Sequence, residues 1–212
     1  MRAGLAIVLL SLWLGPAARA QQVVDRIVAR VSDDVITQSD LTELGSFQKL
    51  ADGKEQPASA RIRELAEQWI VRQEAALSGF QPPSAGEAQE ALAGIEKRFG
   101  SAQAFGKVLQ EAGLTEGEVK RTLARQIFLS RFLDYKFRPE VQVTERAIED
   151  YYRQTLVPEL QRERQAVPSI ENVARRIREV LVERGITQRA QAWLDGMRTR
   201  WKVQTIGGSP SP

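Results

Sequence analysis

The chain has 212 residues, 42% of them hydrophobic, and 30 Lys and Arg against 27 Asp and Glu give it a formal net charge of +3. It contains neither His nor Cys, which excludes Ser-His and Cys-His nucleophiles, the usual zinc ligand sets and disulfide stapling. The charges are mixed along the chain rather than gathered on one basic stretch, so nothing points to nucleic acid as a partner.

Arg2, an apolar run from Leu5 to Leu14, Gly15-Pro16 and the small-x-small triplet Ala18-Arg19-Ala20 open the chain. That order is expected of a secretory leader, residues 1–20, removed after Ala20. The run is short of the ~20 residues a bilayer span needs, so no stable membrane span is expected after cleavage, a retained anchor being the alternative. No Cys follows the site to carry a lipid. Losing Arg2 and Arg19 leaves a net charge of about +1. An exported protein without Cys must draw its stability from packing.

Residues 23–41 read VVDRIVARVSDDVITQSDL. Apolar and polar positions alternate up to Val31, Ser32-Asp33-Asp34 interrupts, and Val35-Ile36-Thr37 resumes, which predicts a hairpin. Ser39 then stands where a helix cap is wanted, with Asp40 in the first turn. A hairpin alone is marginal, so another part of the chain is expected to complete it. The same residues resemble the opening of the N-terminal domain of SurA-type periplasmic chaperones, in which a V-N-D-D-V-I-like turn leads to a helix beginning S-D-L. Here the turn is Val31-Ser32-Asp33-Asp34-Val35-Ile36, with Ser in place of the usual Asn.

Amphipathic helices are expected next. The first runs from near Ser39 to Ala51, with Leu41, Leu44, Phe47 and Leu50 toward one side. A polar break leads to Pro57. The second carries Ile62, Leu65, Ala66, Trp69, Ile70 and Leu77, and ends at Ser78-Gly79. Ser84 and Glu87 form a capping box for a helix with Leu92, Ile95 and Phe99, which Gly100 closes. A short helix with Phe105, Val108 and Leu109 ends at Gly113. Thr115 and Glu118 cap a long one carrying Leu123, Phe128, Phe132 and Phe137 to Arg138-Pro139. Gly113 to Arg121 resembles the family's G-L-T-x-E-E-x-K/R-R start of its long helix.

Val143-Thr144-Glu145 opens a helix with Ile148, Tyr151 and Tyr152, similar to the segment that leads into the family's parvulin prolyl-isomerase domain. Here a charged helical stretch, Glu159 to Ala166, follows Val157-Pro158, and Ser169 is expected to cap a helix reaching Leu181. A parvulin domain needs on the order of 90 residues of mixed fold and relies on histidines, so the isomerase is missing. A separate last helix is expected near Thr187 to Arg200, then a closing strand within Trp201 to Ile206. Trp193-Leu194-Asp195-Gly196-Met197-Arg198 and Val203 to Ile206 resemble the family's returning C-terminal segment.

The fold class expected is mainly α: a multi-helix chaperone domain with a small N-terminal β-hairpin completed by a C-terminal strand. Residues 21–206 would form that domain, with an N-terminal part 21–157 and a returning segment 158–206, and residues 207–212 a loose tail. The closing strand could also be exchanged between two chains, giving a homodimer by swapping.

No phosphate loop, dinucleotide fingerprint or metal spacing is present; no catalytic residue, metal or cofactor is expected. The resemblance implies a periplasmic, ATP-independent holdase whose partners are unfolded or nascent exported polypeptides, outer-membrane proteins among them. Apolar side chains lining a cradle would bind them, and the candidates are Phe47, Trp69, Phe80, Phe99, Phe105, Phe128 and Phe132, with Phe137 beside them. For any single one of them, a place in the core is the commoner reading of such a stripe. Two other functions stay open: residual prolyl isomerisation, and service as a dedicated assembly factor or structural subunit of one envelope complex.

Overall fold

The computed structural model describes residues 25–82 and 84–206. The expected leader, Val23 and Val24 at the hairpin's start, and the expected tail lie outside the described residues.

The hairpin forms from β1 (Ile27–Val31) and β2 (Asp34–Thr37). Ser32 supplies the positive φ, 54°, that the first residue of a two-residue hairpin turn needs. The helix that follows, α1 (Gln38–Asp52), starts earlier than the sequence suggests, because Thr37 and not Ser39 is its cap. Thr37 Oγ1 accepts from Asp40 N at 3.3 Å, and the Asp40 carboxylate accepts from Thr37 N at 2.8 Å. A reciprocal box needs its acid three residues past the cap, and Asp40 stands at that distance from Thr37 only. Ser39 instead donates its N–H to the Asp25 carboxylate.

After Gly53 (φ 76°) and Pro57 comes α2 (Ala58–Leu77), and after it α3 (Ala85–Glu96) and α4 (Ala102–Ala112), the last closed by Gly113 at φ 68°. The long helix α5 (Glu116–Phe137) starts at the Thr115–Glu118 box. The Ser84–Glu87 box forms as well.

Two differences appear in the last third. The helix α6 (Glu145–Tyr151) does not stop before Val157-Pro158 but runs through a π turn, Tyr152–Leu156, into α7 (Val157–Arg162). Proline lacks an N–H and crowds the preceding turn, and the wider turn ahead of it takes up that defect. The two helices expected between Ser169 and Arg200 are one, α8 (Ile170–Arg200). Gly185 is no breaker: a Cβ there would lie 2.6 Å from Val141 Cγ1, so the glycine lets the α5–α6 connection lie against the helix.

The closing strand β3 (Gln204–Thr205) pairs antiparallel with β1, giving the order β2-β1-β3 and joining the two ends of the described chain. It is shorter than the alternation from Trp201 suggests, because Trp201 and Lys202 form a turn. That turn still binds the hairpin, since Ser32 N donates to Trp201 O at 2.9 Å.

The sheet's apolar face packs on α2, with Ala29, Val31, Ile70 and Val71 fully buried between them and Phe132 and Leu194 arriving from α5 and α8. A second cluster joins α1, α3, α4 and α5 around Phe47, Ile95 and Phe105. A smaller third one sets Phe137 against Ile186 and Ala190 of α8. Among the described residues no helix is long and apolar enough to cross a membrane.

Candidate peptide-binding groove

The candidate aromatics divide by burial. Phe47, Phe105 and Phe132 are 3%, 1% and 2% exposed, and Phe137 is 5% exposed. They are core side chains, which corrects their place among candidates for a cradle. Their helices are covered on that side, α1 and α4 by each other and by α3 and α5, and α5 by α2 and α8. Phe99 is half-buried and closes the second cluster over Phe105, ring centres 5.5 Å apart.

Trp69, Phe80 and Phe128 are half-buried at the margin of the first cluster. Phe80 bridges Phe128 and Phe132 at 5.7 and 5.5 Å and meets Tyr135, itself 61% exposed, at 5.2 Å. Trp69 packs edge-on against Trp201 at 5.0 Å and donates its indole N–H to Asp34 at 2.6 Å.

Trp69 and Phe128 line the same groove, of about 440 Å³, between β2, α2 and α5. Val35, Ile36, Leu65 and Ala124 complete its apolar wall, and Pro82 stands at its margin. Of the candidates, only these two meet there; Phe80 borders a neighbouring, more polar hollow with Tyr135 and Asp134. The residues that reading the sequence missed are Val35, Ile36 and Leu65. Val35 is 42% exposed and opposite in phase to the buried Ile36, so the strand's alternation carried the signal.

The groove's polar side chains are mostly committed to the fold. Asp40 completes the α1 cap, and Arg125 pairs with Glu43 at 3.8 Å. Gln68 donates to Glu64 at 3.2 Å. Glu64 accepts a second bond from Gln48 at 2.8 Å, and burial between α1, α2 and α5 pushes its carboxyl up from the ordinary range, against the lowering effect of the amide donors. Glu67, one turn along α2, is likewise pushed up by burial, against the pull of Arg198. That pair is close, 2.5 Å, and ties α2 to α8. Arg72 is exposed and has no hydrogen-bond or ion-pair partner among the described residues.

An apolar, partly aromatic groove of this size takes one or two side chains of an elongated ligand by shape and desolvation rather than by a dense hydrogen-bond pattern. Among the described residues no cluster of acidic side chains could hold a metal ion. No protein-family model matches the chain, and no curated protein matches it either.

Proposed function

We propose that this chain is an exported, ATP-independent holdase of the SurA-like kind, without a prolyl-isomerase domain. In the periplasm it would bind unfolded outer-membrane or other exported polypeptides and keep them from aggregating. The groove between β2, α2 and α5 carries the reading: Trp69, Phe128 and Val35 offer apolar surface at a site with few uncommitted polar groups. Such a surface favours exposed apolar side chains over any one sequence. The leader-like residues 1–20 and the absence of His and Cys support it from the sequence side. Binding the unfolded chain lowers its free concentration by mass action, and no covalent step is needed.

The test is aggregation of an unfolded exported protein, followed by light scattering, with the purified protein added at near-stoichiometric amounts and no ATP. Suppression is expected, with no acceleration of prolyl isomerisation in a protease-coupled peptide assay. Failure with every unfolded client, the fold being intact, would replace this reading by that of a dedicated assembly factor. Measurable isomerase activity would overturn it as well.

A further inference from the structure

Resting on the holdase reading, the geometry points to a particular ligand for the groove: an extended apolar segment with an internal Asp or Glu, whose carboxylate pairs with Arg72.

The groove's own chemistry supports this. Of its polar lining groups, Asp40, Gln68, the Trp69 indole and Arg125 each have a partner within the fold. Arg72 alone has none among the described residues, and it stands one turn of α2 from Trp69. A guanidinium at the margin of an apolar groove is suited to a carboxylate, which it can grip with two parallel N–H bonds. Asp40, the acidic residue among the groove's lining groups, is committed to the α1 cap, which leaves the Arg72 charge available to an acidic ligand.

The strand beside it explains why the segment is extended. β2 is an outer strand of the sheet. Val31 and Asp34 pair across the two-residue turn, so antiparallel alternation directs the N–H and C=O of Val35 away from β1. These two groups lie at the groove's wall, and a chain in extended conformation satisfies both at once. In such a chain side chains two residues apart share a face and stand about 7 Å from each other. One apolar side chain can then enter the groove while a neighbouring carboxylate reaches its charged margin. An aspartate or glutamate side chain fits a segment that passes along the strand, whereas a chain end would use only half of it.

The test uses the purified protein and short fluorescent peptides, acetylated and amidated at their ends so that no terminal carboxylate contributes. The peptides share one apolar sequence and carry Glu, Gln or Lys at one internal position. Fluorescence anisotropy is expected to show the Glu peptide binding about tenfold tighter than its Gln twin, the scale of one charge-assisted hydrogen-bonded pair. Arg72→Glu should reverse the order, favouring Lys, with an unchanged melting temperature because the side chain is exposed and unpaired. N-methylation of alternate peptide amides should abolish binding in one register and spare it in the other. Equal binding of the three peptides, in a protein that still suppresses aggregation, overturns the inference and leaves the holdase reading standing. Loss of both peptide binding and suppression overturns the two together. Capture of anionic lipid vesicles through Arg72 in place of any peptide would also overturn it.

Discussion

Phe105 and Phe128 both sit on the apolar stripe of an amphipathic helix, yet one is sealed and the other borders open space. Phe105 projects from α4 into a cluster that α1, α3 and α5 close from the other sides. Phe128 projects from α5 toward α2 at the place where β2 ends and α1 begins, where Phe80 covers one side of its ring and the groove opens on the other. A stripe shows which side of a helix is apolar, and the neighbours decide whether it is covered. A binding surface in an all-apolar setting is thus a place where the fold runs out of partners.

The largest expected effect comes from removing the strand and the tryptophan that back the open side. Deleting the chain from Trp201 onward removes β3, the Trp201–Trp69 contact and the bond from the Trp201 indole to Glu74. The loss should equal or exceed that of a core aromatic, ~3–5 kcal/mol, and thermal melts against a shorter truncation from Gly207 measure it. Equal midpoints for the two truncations would contradict the closing role of β3. Next in size, Phe105→Ala should cost ~3–5 kcal/mol by cavity formation, read by urea denaturation, and leave aggregation suppression unchanged at temperatures where the protein stays folded.

Phe128→Ser sharpens the comparison from the open side. Its stability cost is expected on the order of 1 kcal/mol, within the ordinary range for partly exposed positions. Aggregation suppression should fall far more than that cost explains. A variant several kcal/mol less stable would make Phe128 a core residue like Phe105, and one that suppresses aggregation as well as the parent would take it out of the binding surface.

What could be read ahead of the structure was local. The Ser84–Glu87 and Thr115–Glu118 boxes and the Gly113 end are interactions within a few residues, and the sequence displays both partners side by side. The closing strand was legible because a lone hairpin demands a third strand and one alternating segment remained at the far end. The joining of the last two expected helices into one was not legible, and the reason for Gly185 within it lies 44 positions away in Val141. Thr37 and Ser39 are chemically near-equivalent caps, and only the spacing to Asp40 separates them. The groove was half legible: Trp69 and Phe128 could be named, but so could Phe47, Phe105 and Phe132, since periodicity carries no record of what packs opposite. Arg72 had no signal at all, being distinguished by the partner it lacks.

The smallest expected effect concerns pH, and it too separates interior from surface. Glu64 and Glu67 are half-buried carboxyls whose folded-state pKa values lie above the usual 4.5 of glutamate, chiefly through burial. The folded protein therefore holds their protons more tightly than the unfolded chain does. Their contribution is fully present below about 4.5 and is lost as pH rises through the folded-state values. The capping carboxylates at the helix starts run the other way: the backbone N–H of Ser84 holds Glu87 below 4.5, and that of Thr115 does the same for Glu118. What they contribute is present above 4.5 and is lost as pH falls through their lowered values. Melting temperature between about pH 3 and 8 should thus fall away on both sides, with different residues responsible for each limb. Glu64→Gln should flatten the decline above 4.5 and leave the acid limb in place, whereas Glu118→Gln should flatten the acid limb alone. Identical pH profiles for the two variants and the parent would mean that neither burial nor capping sets the titration of these carboxyls.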